Sequence, residues 1–267
     1  GSDYRDGDVI LEPGSRLSPM DIAIVASCGL AEVTVSCQPS ISVISTGNEL
    51  IPPGAPIESH QVRLSNGPAL VAMLAGHGFS EATHEHIEDD RDRLRSRLSA
   101  LLSANDVLVL SGGVSMGKAD FVPGVLASLG VEVIFHKISQ RPGKPMWFGI
   151  GPNEQAVFAL PGNPVSSLVC CRQYVLPALF RASGRNTTKT EMAALAEDIQ
   201  FNADLTCFQP VRLAAGPNGV ISAMPVKTNT SGDFASLSGT DGFVELDRQQ
   251  NEFAAGTAVP LHRWNMP

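Results

Sequence analysis

Between Ile41 and Phe180 the chain alternates short apolar runs with longer segments of helical periodicity. The runs "ISVIST", "DVLVLS" and "VEVIFHKIS" predict strands, and "DVLVLS" is apolar throughout, as in a strand that is buried on both faces. Helices are predicted for "SNGPALVAMLAGHG", "DDRDRLRSRLSALLSAN", "FVPGVLASLG" and "NPVSSLVCCRQYVLPALF", and "PMWFGIG" with "QAVFALPG" resembles a hairpin. The alternation predicts an α/β fold, a three-layer α/β/α domain with a mostly parallel sheet over residues 41–185.

The first forty residues have a different pattern. "GDVILEP" predicts a short strand, "PMDIAIVAS" a helix that Gly29 ends, and "AEVTVS" a β-branched strand. The stretch carries little apolar surface of its own. We therefore expect residues 1–40 to be the remnant of a preceding linker or N-terminal domain and to pack on something else.

The C-terminal part of the chain changes pattern again. Helical periodicity stops after "TEMAALAEDI", and short strands broken by Gly, Pro and Asn follow. In "CFQPVRLAAGPNGVISAMPV" the tetrapeptide "GPNG" predicts a hairpin turn. We expect residues 186–267 to form a small C-terminal β-barrel, with a β-sandwich as the alternative.

Composition narrows the class of protein. The 267 residues suffice for more than one domain, and 43% hydrophobic with 17% charged residues is typical of a soluble globular chain. A net charge of −8 argues against nucleic-acid binding, and no apolar run reaches the ~18 residues that would span a membrane. The five cysteines include no C-x-x-C pair, so reduced thiols in the cytoplasm are expected rather than disulfides or a zinc site.

Three loops rich in glycine, proline and hydroxyl residues follow predicted strands: "STGNEL" (45–50), "SGGVSMGKAD" (111–120) and "LPGNPVSS" (160–167). Ligands of open α/β sheets bind beyond the carboxyl ends of the strands. Backbone N–H groups of such loops hold anions without a cationic side chain, which suits a chain of negative net charge. Asp120 adds a carboxylate suited to Mg²⁺ or a polar ligand group. Each loop alone also fits a plain turn, but three at one sheet edge favour an anion site.

A fourth loop, "QRPGKPMWF", places Arg141 and Lys144 on either side of Pro142-Gly143. The pair fits an anion clamp, with arginine as the fork and lysine as a point charge, and it also fits a solvated charged turn. Because three anion-binding loops are expected nearby, we favour the clamp.

Two other patterns are assigned structural roles. The segment "HEH" offers only His84 and His86 as imidazole ligands, and the acidic residues 88–90 that follow more simply cap the next helix than bind a metal. Cys170-Cys171 lies in an apolar helix and is expected in the core. No Ser-His-Asp or Cys-His motif is apparent.

The motifs "STGNEL", "SGGVSMGKADF", "RPGKP" and "LPGNPVSS" resemble, in order and approximate spacing, those of the molybdopterin molybdenumtransferase (MoeA) family, which includes the gephyrin and plant Cnx E domains. The similarity covers most of residues 1–185, and the tail resembles the family's C-terminal domain. It implies a MoaB/Mog-like molybdopterin-binding domain followed by a β-barrel, and a chain that corresponds to the C-terminal portion of the family without its N-terminal domains. Family members act in molybdenum cofactor biosynthesis.

The resemblance also implies a reaction. Molybdate is inserted into adenylylated molybdopterin, AMP is released, and Mg²⁺ or Zn²⁺ assists. Asp120, Glu49, Lys144 and Arg141 would be the catalytic residues, and Asp120 with Glu49 would hold the metal. The substrate-binding residues carried over from the motifs are Ser45, Thr46, Gly47, Ser111, Gly112, Gly113, Ser115, Pro161, Gly162, Asn163, Pro164 and Ser166, with Ser231 and Ser236 in the tail segment "TSGDFASLSGTDG". A cytoplasmic protein that is a homodimer in its full-length form is expected.

The sequence departs from the family pattern after "STGNEL". The family has an Asp-(Ser/Thr)-Asn-Arg stretch there, whereas "RLSNGP" has Leu64 and Gly67 in place of that aspartate and arginine. Two alternatives therefore stand beside the molybdenumtransferase: a molybdopterin-binding module without turnover, and a molybdopterin adenylyltransferase. The adenylyltransferase is disfavoured because such chains lack the C-terminal barrel.

Overall fold

The computed structural model describes residues 4–113, 121–185, 190–201, 204–216, 219–228 and 232–265. The helices in these ranges are α1 Pro19–Ser27, α2 Asn66–Gly76, α3 Arg91–Ala104, α4 Val122–Ser128, α5 Pro164–Cys170, α6 Leu176–Ala182 and α7 Phe234–Leu237, with a π-helical segment, Cys171–Val175, between α5 and α6. The strands are β1 Ile41–Thr46, β2 Leu50–Ile51, β3 Val62–Arg63, β4 Thr83–Ile87, β5 Val107–Ser111, β6 Glu132–His136, β7 Gln140–Arg141, β8 Trp147–Ile150, β9 Ala156–Leu160, β10 Glu191–Leu195, β11 Ile199–Gln200, β12 Thr206–Ala215, β13 Ile221–Pro225, β14 Gly242–Leu246, β15 Glu252–Phe253 and β16 Ala258–Arg263.

Six strands form the larger sheet, in the order β4-β1-β5-β9-β8-β6. β1 pairs in parallel with β4 and β5, and β5 pairs in parallel with β9. β8 runs antiparallel to both of its neighbours, β9 and β6. Five of these six strands therefore point the same way. The predicted mostly parallel sheet and the β8–β9 hairpin are both confirmed.

Helices cover both faces of this sheet because successive residues of each central strand point in opposite directions. Val43 packs in a cluster with Leu70 of α2 and Leu179 of α6. Its neighbour Ile44 packs on the other face with Leu98 of α3 and Leu126 of α4. The two apolar clusters confirm the predicted three-layer α/β/α arrangement.

Local sequence explains how α3 begins and which face it buries. The side chain of Asp90 accepts a hydrogen bond from the backbone N–H of Arg93 at 2.8 Å, so it caps the helix as predicted. Leu94, Leu98 and Leu102, spaced four residues apart, are buried against the sheet.

The predicted long helix over "NPVSSLVCCRQYVLPALF" is interrupted. α5 passes into the π-helical segment Cys171–Val175 before α6 continues the same direction. Pro177 lies at the start of α6 and cannot donate the backbone hydrogen bond of a regular helix, which accounts for the irregular turn just before it. Cys170 and Cys171 are fully buried there, as expected for core residues.

The C-terminal strands close into a five-stranded barrel. The order β13-β10-β16-β14-β12 is completed by pairing of β12 back to β13, and apolar residues such as Val211, Val244 and Leu261 fill its interior. This confirms a barrel rather than a sandwich. β12 and β13 pair antiparallel, as the predicted hairpin requires, and residues 217 and 218 of its "GPNG" turn lie outside the described residues. β7 pairs in parallel with β12, so a strand from the α/β region extends the barrel sheet.

Three local predictions were wrong. The alanine-rich "EMAALAED", read as helical, forms strand β10, which is paired with β13 and β16. No strand is present at "GDVILEP" or "AEVTVS" among the described residues, because neither segment has a neighbouring strand to pair with. α1 does form, with a capping box between Ser18 and Asp21, and none of its residues is buried.

None of the helices in the described ranges is long and apolar enough to cross a membrane.

Candidate functional site at the carboxyl ends of the strands

The register of the central strands brings the three predicted loops to one edge of the sheet. Ser45 of β1 lies opposite Ser111 of β5, and Ser111 lies opposite Leu160 of β9. "STGNEL", "SGGVSMGKAD" and "LPGNPVSS" therefore leave adjacent strands at the same level, where ligands of parallel sheets bind.

Asn66, at the start of α2, ties two of these loops together. Its Nδ2 donates to Ser111 Oγ at 2.9 Å and to the carbonyl oxygen of Gly162 at 2.7 Å. Because a carbonyl only accepts, the amide nitrogen must face Gly162, which leaves Oδ1 pointing elsewhere. That Oδ1 is buried and has no hydrogen-bond partner among the described residues.

Hydroxyl groups fill the space below the second and third loops. Ser111 Oγ lies 3.3 Å from Ser167 Oγ, and the Ser167 hydroxyl donates to the carbonyl oxygen of Pro161. Ser166 and Ser167, both in the first turns of α5, are buried, whereas Asn163, which precedes the helix, is exposed. These bonds fix the "LPGNPVSS" loop to β5 from beneath.

Glycine is required where the second loop passes the first. Gly112 and Gly113 have φ of +97° and +68°, in the left-handed region that favours glycine. A Cβ on Gly112 would lie 2.7 Å from the carbonyl oxygen of Thr46, and one on Gly113 would lie 2.9 Å from Thr46 Oγ1. Thr46 Oγ1 is buried and has no hydrogen-bond partner in the described part of the chain. The loop thus brings backbone close to an unsatisfied hydroxyl.

The first loop turns sharply at Gly47, whose φ is +141°. The carboxylate of Glu49 folds back over this residue, because a Cβ on Gly47 would come within 2.6 Å of Glu49 Oε1. His86 Nε2 lies 2.8 Å from the carbonyl oxygen of Gly47. Glu49 therefore stays beside the turn, at the edge where the three loops meet.

His84 occupies the space that a side chain at position 67 would need. Its Nε2 lies 3.0 Å from Ser45 Oγ, and a Cβ on Gly67 would fall 2.0 Å from the same nitrogen. Burial, together with the neighbouring His86, lowers the pKa of His84. The sequence favoured a structural role for "HEH" over a metal site, but it did not predict the contact between His84 and Ser45.

The structure places Arg141 and Lys144 on the loop that links β6 to β8, at the same edge of the sheet. Both side chains are exposed. The Arg141 guanidinium lies 6.0 Å from the centre of the Phe201 ring of the barrel. Neither cation forms a hydrogen bond or ion pair with the described residues of the three strand-end loops. Their role as an anion clamp therefore stays a prediction.

Of the remaining predicted residues, one lies in a short helix that packs on α5, and three lie outside the described ranges. Ser236 is in α7, where its hydroxyl donates to the carbonyl oxygen of Asp233 at 2.8 Å, and α7 packs Leu237 beside Val165 of α5. Ser115, Asp120 and Ser231 lie outside the described residues. Leu64, where the family pattern has an aspartate, is buried.

Within the described residues, no three His, Cys, Asp or Glu side chains are grouped as metal ligands. Mg²⁺ is bound in proteins through one or two carboxylates with waters and substrate phosphates completing its shell. Among the described residues of the three strand-end loops, Glu49 is the only carboxylate, so these residues alone do not form such a site.

The fold defines an α/β protein whose sheet edge carries two unsatisfied buried oxygens and two glycines in close backbone approach. This edge is the place where ligands of parallel sheets bind. Comparison with known proteins agrees and is more specific. Residues 42–181 match the family of probable molybdopterin binding domains, and residues 192–264 match the C-terminal region (domain IV) of MoeA. The chain belongs to the molybdopterin molybdenumtransferase (MoeA) family.

Two curated relatives illustrate the similarity. A molybdopterin molybdenumtransferase of Synechocystis sp. is 39% identical over 98% of this chain and 65% of its own length. The enzyme of the same name from Haemophilus influenzae is 32% identical over 99% of this chain and 66% of its own length. The crystal structure of the molybdopterin biosynthesis moeA protein from Pyrococcus horikosii superposes with a TM-score of 0.80 at 31% identity, covering 96% of this chain and 62% of that one. The chain thus spans about two thirds of the length of these relatives.

Proposed function

We propose that the protein inserts molybdate into adenylylated molybdopterin and releases AMP, as a molybdenumtransferase of molybdenum cofactor biosynthesis. The observation that carries the proposal is the strand-end cradle, defined as Thr46, Asn66, Ser111, Gly112 and Gly113. It combines two unsatisfied buried oxygens with glycines in close backbone approach. Relatives that share this chain's two matched regions carry the enzyme's name.

The chemistry suits such a cradle. A water molecule adds to the molybdopterin phosphorus of the phosphoanhydride, the bond from that phosphorus to the bridging oxygen breaks, and AMP leaves with the bridging oxygen. The two dithiolene sulfurs each form a bond to molybdenum, and one molybdate oxygen leaves as water with the two thiol protons, so molybdenum keeps its oxidation state. Catalysis of this step depends on positioning and charge stabilisation more than on a covalent nucleophile. The absence of a nucleophilic triad motif from the sequence is consistent with that requirement.

The residues take the roles that the resemblance to the family implies. Ser111, Gly112, Gly113 and Ser115 would line the pterin-phosphate pocket, together with the other substrate-binding residues, Ser45, Thr46, Gly47, Pro161, Gly162, Asn163, Pro164 and Ser166. Arg141 and Lys144 would bind molybdate or phosphate at the border of the pocket. Ser231 and Ser236 would contribute from the barrel, toward which α5 and α7 pack.

A divalent cation, Mg²⁺ or Zn²⁺, would be held by Asp120 and Glu49 and would neutralise charge on the phosphoanhydride. Support comes from the carboxylate of Glu49, which folds back beside the first loop. We also propose three domains or segments, at residues 1–40, 41–185 and 186–267, a cytoplasmic location, and a homodimer for the full-length protein.

The test is AMP release. The protein is incubated with adenylylated molybdopterin, molybdate and Mg²⁺, and AMP is measured by chromatography beside Asp120→Asn. The proposal expects AMP from the unaltered protein and a large loss in the variant, since the carboxylate is assigned an essential role. AMP formation that is equal in both proteins would refute the assigned role, and no AMP from the unaltered protein would refute turnover.

A binding module without turnover is the second function that a specific observation favours. Leu64 is buried where the family pattern has an aspartate, so no carboxylate is available from that position. Saturable binding of adenylylated molybdopterin without AMP release would identify this function. The adenylyltransferase alternative is opposed by the match of residues 192–264 to a MoeA region.

A further inference from the structure

Gln140 is a buried amide that joins four parts of the molecule. Its side chain is 2% exposed, and its Nε2 donates to the carbonyl oxygen of Pro142 at 2.8 Å and lies 3.5 Å from Cys170 Sγ. Its Oε1 accepts from the hydroxyl of Tyr174 in the π-helical segment. Its backbone pairs with Thr206 of the barrel strand β12. Gln140 therefore contacts α5, the π-helical segment and the barrel from within the loop that carries Arg141 and Lys144.

The same loop fits tightly against this amide. Gly143 has φ of +101°, and a Cβ there would lie 2.5 Å from both Cys170 Sγ and Gln140 Nε2. Backbone bonds complete the loop, from Met146 N to the carbonyl oxygen of Gly143 at 3.1 Å and from Ile138 N to that of Lys144 at 3.0 Å. The loop backbone is thus held from inside by one amide while its two cationic side chains remain exposed.

Tyr174 determines which way this amide points. A hydroxyl that donates to Oε1 requires the nitrogen end of Gln140 to face Pro142, and the opposite orientation would set the amide oxygen against a carbonyl. Burial, with Cys170 and Glu245 nearby, raises the pKa of Tyr174, so the hydroxyl keeps its proton at neutral pH. The hydroxyl therefore remains a donor to Gln140 at neutral pH.

We propose that Gln140 and Tyr174 are positioning residues, which set the loop backbone so that Arg141 and Lys144 meet in one oxyanion-binding arrangement. The inference rests on the proposed function of those two cations. The proposal also gives the π-helical segment Cys171–Val175 a role, because Tyr174 of this segment contacts Gln140. Arg172 of the same segment donates to the carbonyl oxygen of Arg263 in the barrel. The barrel and the cationic loop are thereby fixed to the same turn of helix.

The matched control is Gln155, a second buried glutamine at the opposite edge of the sheet. It is 6% exposed, and its Nε2 donates to the carbonyl oxygen of Leu102 at 2.7 Å. Gln155→Met removes a buried amide of the same kind as Gln140→Met, so the two changes lower overall stability through the same loss. If Gln140→Met weakens ligand binding and Gln155→Met does not, the effect is due to the position of Gln140 beside the loop and not to a general loss of stability.

The experiment uses molybdate alone as the probe, with calorimetry of the unaltered protein, Tyr174→Phe, Gln140→Met and Gln155→Met. Hydrogen exchange of the 137–146 segment is measured in the same four proteins. Tyr174→Phe leaves the Gln140 Oε1 without its donor, and we expect about a tenfold weaker molybdate affinity and faster exchange in 137–146. Gln140→Met should behave in the same way, and Gln155→Met should retain both the affinity and the slow exchange.

If the unaltered protein binds molybdate and the Tyr174 and Gln140 variants bind as tightly as the Gln155 variant, the positioning role is overturned while the proposed function stands. If hydrogen exchange in 137–146 is unchanged in Tyr174→Phe and Gln140→Met, the positioning role is overturned, regardless of their molybdate affinities. If the unaltered protein does not bind molybdate, the oxyanion role of Arg141 and Lys144 fails, and the inference as stated fails with it.

Discussion

The imidazole of His84 lies directly over the Cα of Gly67, so that a methyl group at position 67 would fall 2.0 Å from His84 Nε2. The same nitrogen is 3.0 Å from the hydroxyl of Ser45 at the end of β1. A small residue at the start of α2 and a ring from β4 thus share one space beside the strand-end cradle. Residue 67 and residue 84 are expected to vary together, because a larger side chain at one position requires a smaller one at the other.

We predict that Gly67→Ala lowers the free energy of unfolding by about 1–3 kcal/mol, because the added methyl displaces a half-buried ring. In Gly67→Ala/His84→Ala the loss should be smaller than the sum of the two single losses, by at least about 0.5 kcal/mol. Urea unfolding of the three variants measures this coupling. Gly76→Ala, in the last position of the same helix with open space around it, is the control and should be neutral or stabilising. If the losses of unfolding free energy from Gly67→Ala and His84→Ala simply add in the double variant, the two residues do not compete for the same space.

Asn66 should matter for ligand binding as well as for stability. Asn66→Asp replaces the amide that donates to Ser111 and Gly162 with a carboxylate, which sets an anion against a carbonyl oxygen and beside the proposed anion pocket. We predict at least tenfold weaker binding of adenylylated molybdopterin, measured by calorimetry. Asn105→Asp is the matched control, since Asn105 Nδ2 donates to the carbonyl oxygen of Leu101 at the far end of α3. Equal affinities of Asn66→Asp and Asn105→Asp for adenylylated molybdopterin would show that Asn66 has no role in ligand binding.

The stability of the protein should fall as the pH is lowered from 7 to 5. Burial lowers the pKa values of His77 and His84 in the folded protein, so the unfolded chain takes up protons near the ordinary histidine pKa of 6.5 that the folded chain does not. His77 in particular is 1% exposed, and its Nε2 has no hydrogen-bond partner among the described residues. Carboxylates with lowered pKa values, such as Glu191, change the stability of the protein at more acid pH.

Chemical unfolding of His77→Gln at several pH values checks this explanation. The variant should lose part of the decrease between pH 7 and pH 5, whereas His60→Gln, a change at an exposed ring, should keep it. The same decrease in all three proteins would show that His77 does not cause it.

Sequence patterns alone could predict the sheet and the loops that leave it, because these depend on local periodicity and on glycine at strand ends. Three parallel strands, β1, β5 and β9, carry Ser45, Ser111 and Leu160 side by side at the same edge. The strand β10 could not be predicted in the same way, since an alanine-rich segment favours helix until barrel partners on both sides supply its hydrogen bonds.

The parts of the site that were missed are contacts between residues far apart in the chain. Asn66 was not among the predicted site residues, yet its amide reaches Gly162, 96 residues later. His84 and Gly67 belong to different elements and meet only when β4 and α2 pack together. Gln140 and Tyr174 are similarly joined by the fold, and no local motif marks any of these pairs.

The most direct test of the account is the affinity of the strand-end cradle for its ligand. Adenylylated molybdopterin, without molybdate, is titrated into the unaltered protein, Gly113→Ala and Gly54→Ala. Both glycines have positive φ, but a Cβ on Gly113 would lie 2.5 Å from Val122 Cγ2 and 2.9 Å from Thr46 Oγ1, whereas Gly54 has open space around it. We predict binding by the unaltered protein and by Gly54→Ala, and at least tenfold weaker binding by Gly113→Ala. Equal binding by all three proteins, or no binding by the unaltered protein, would contradict it.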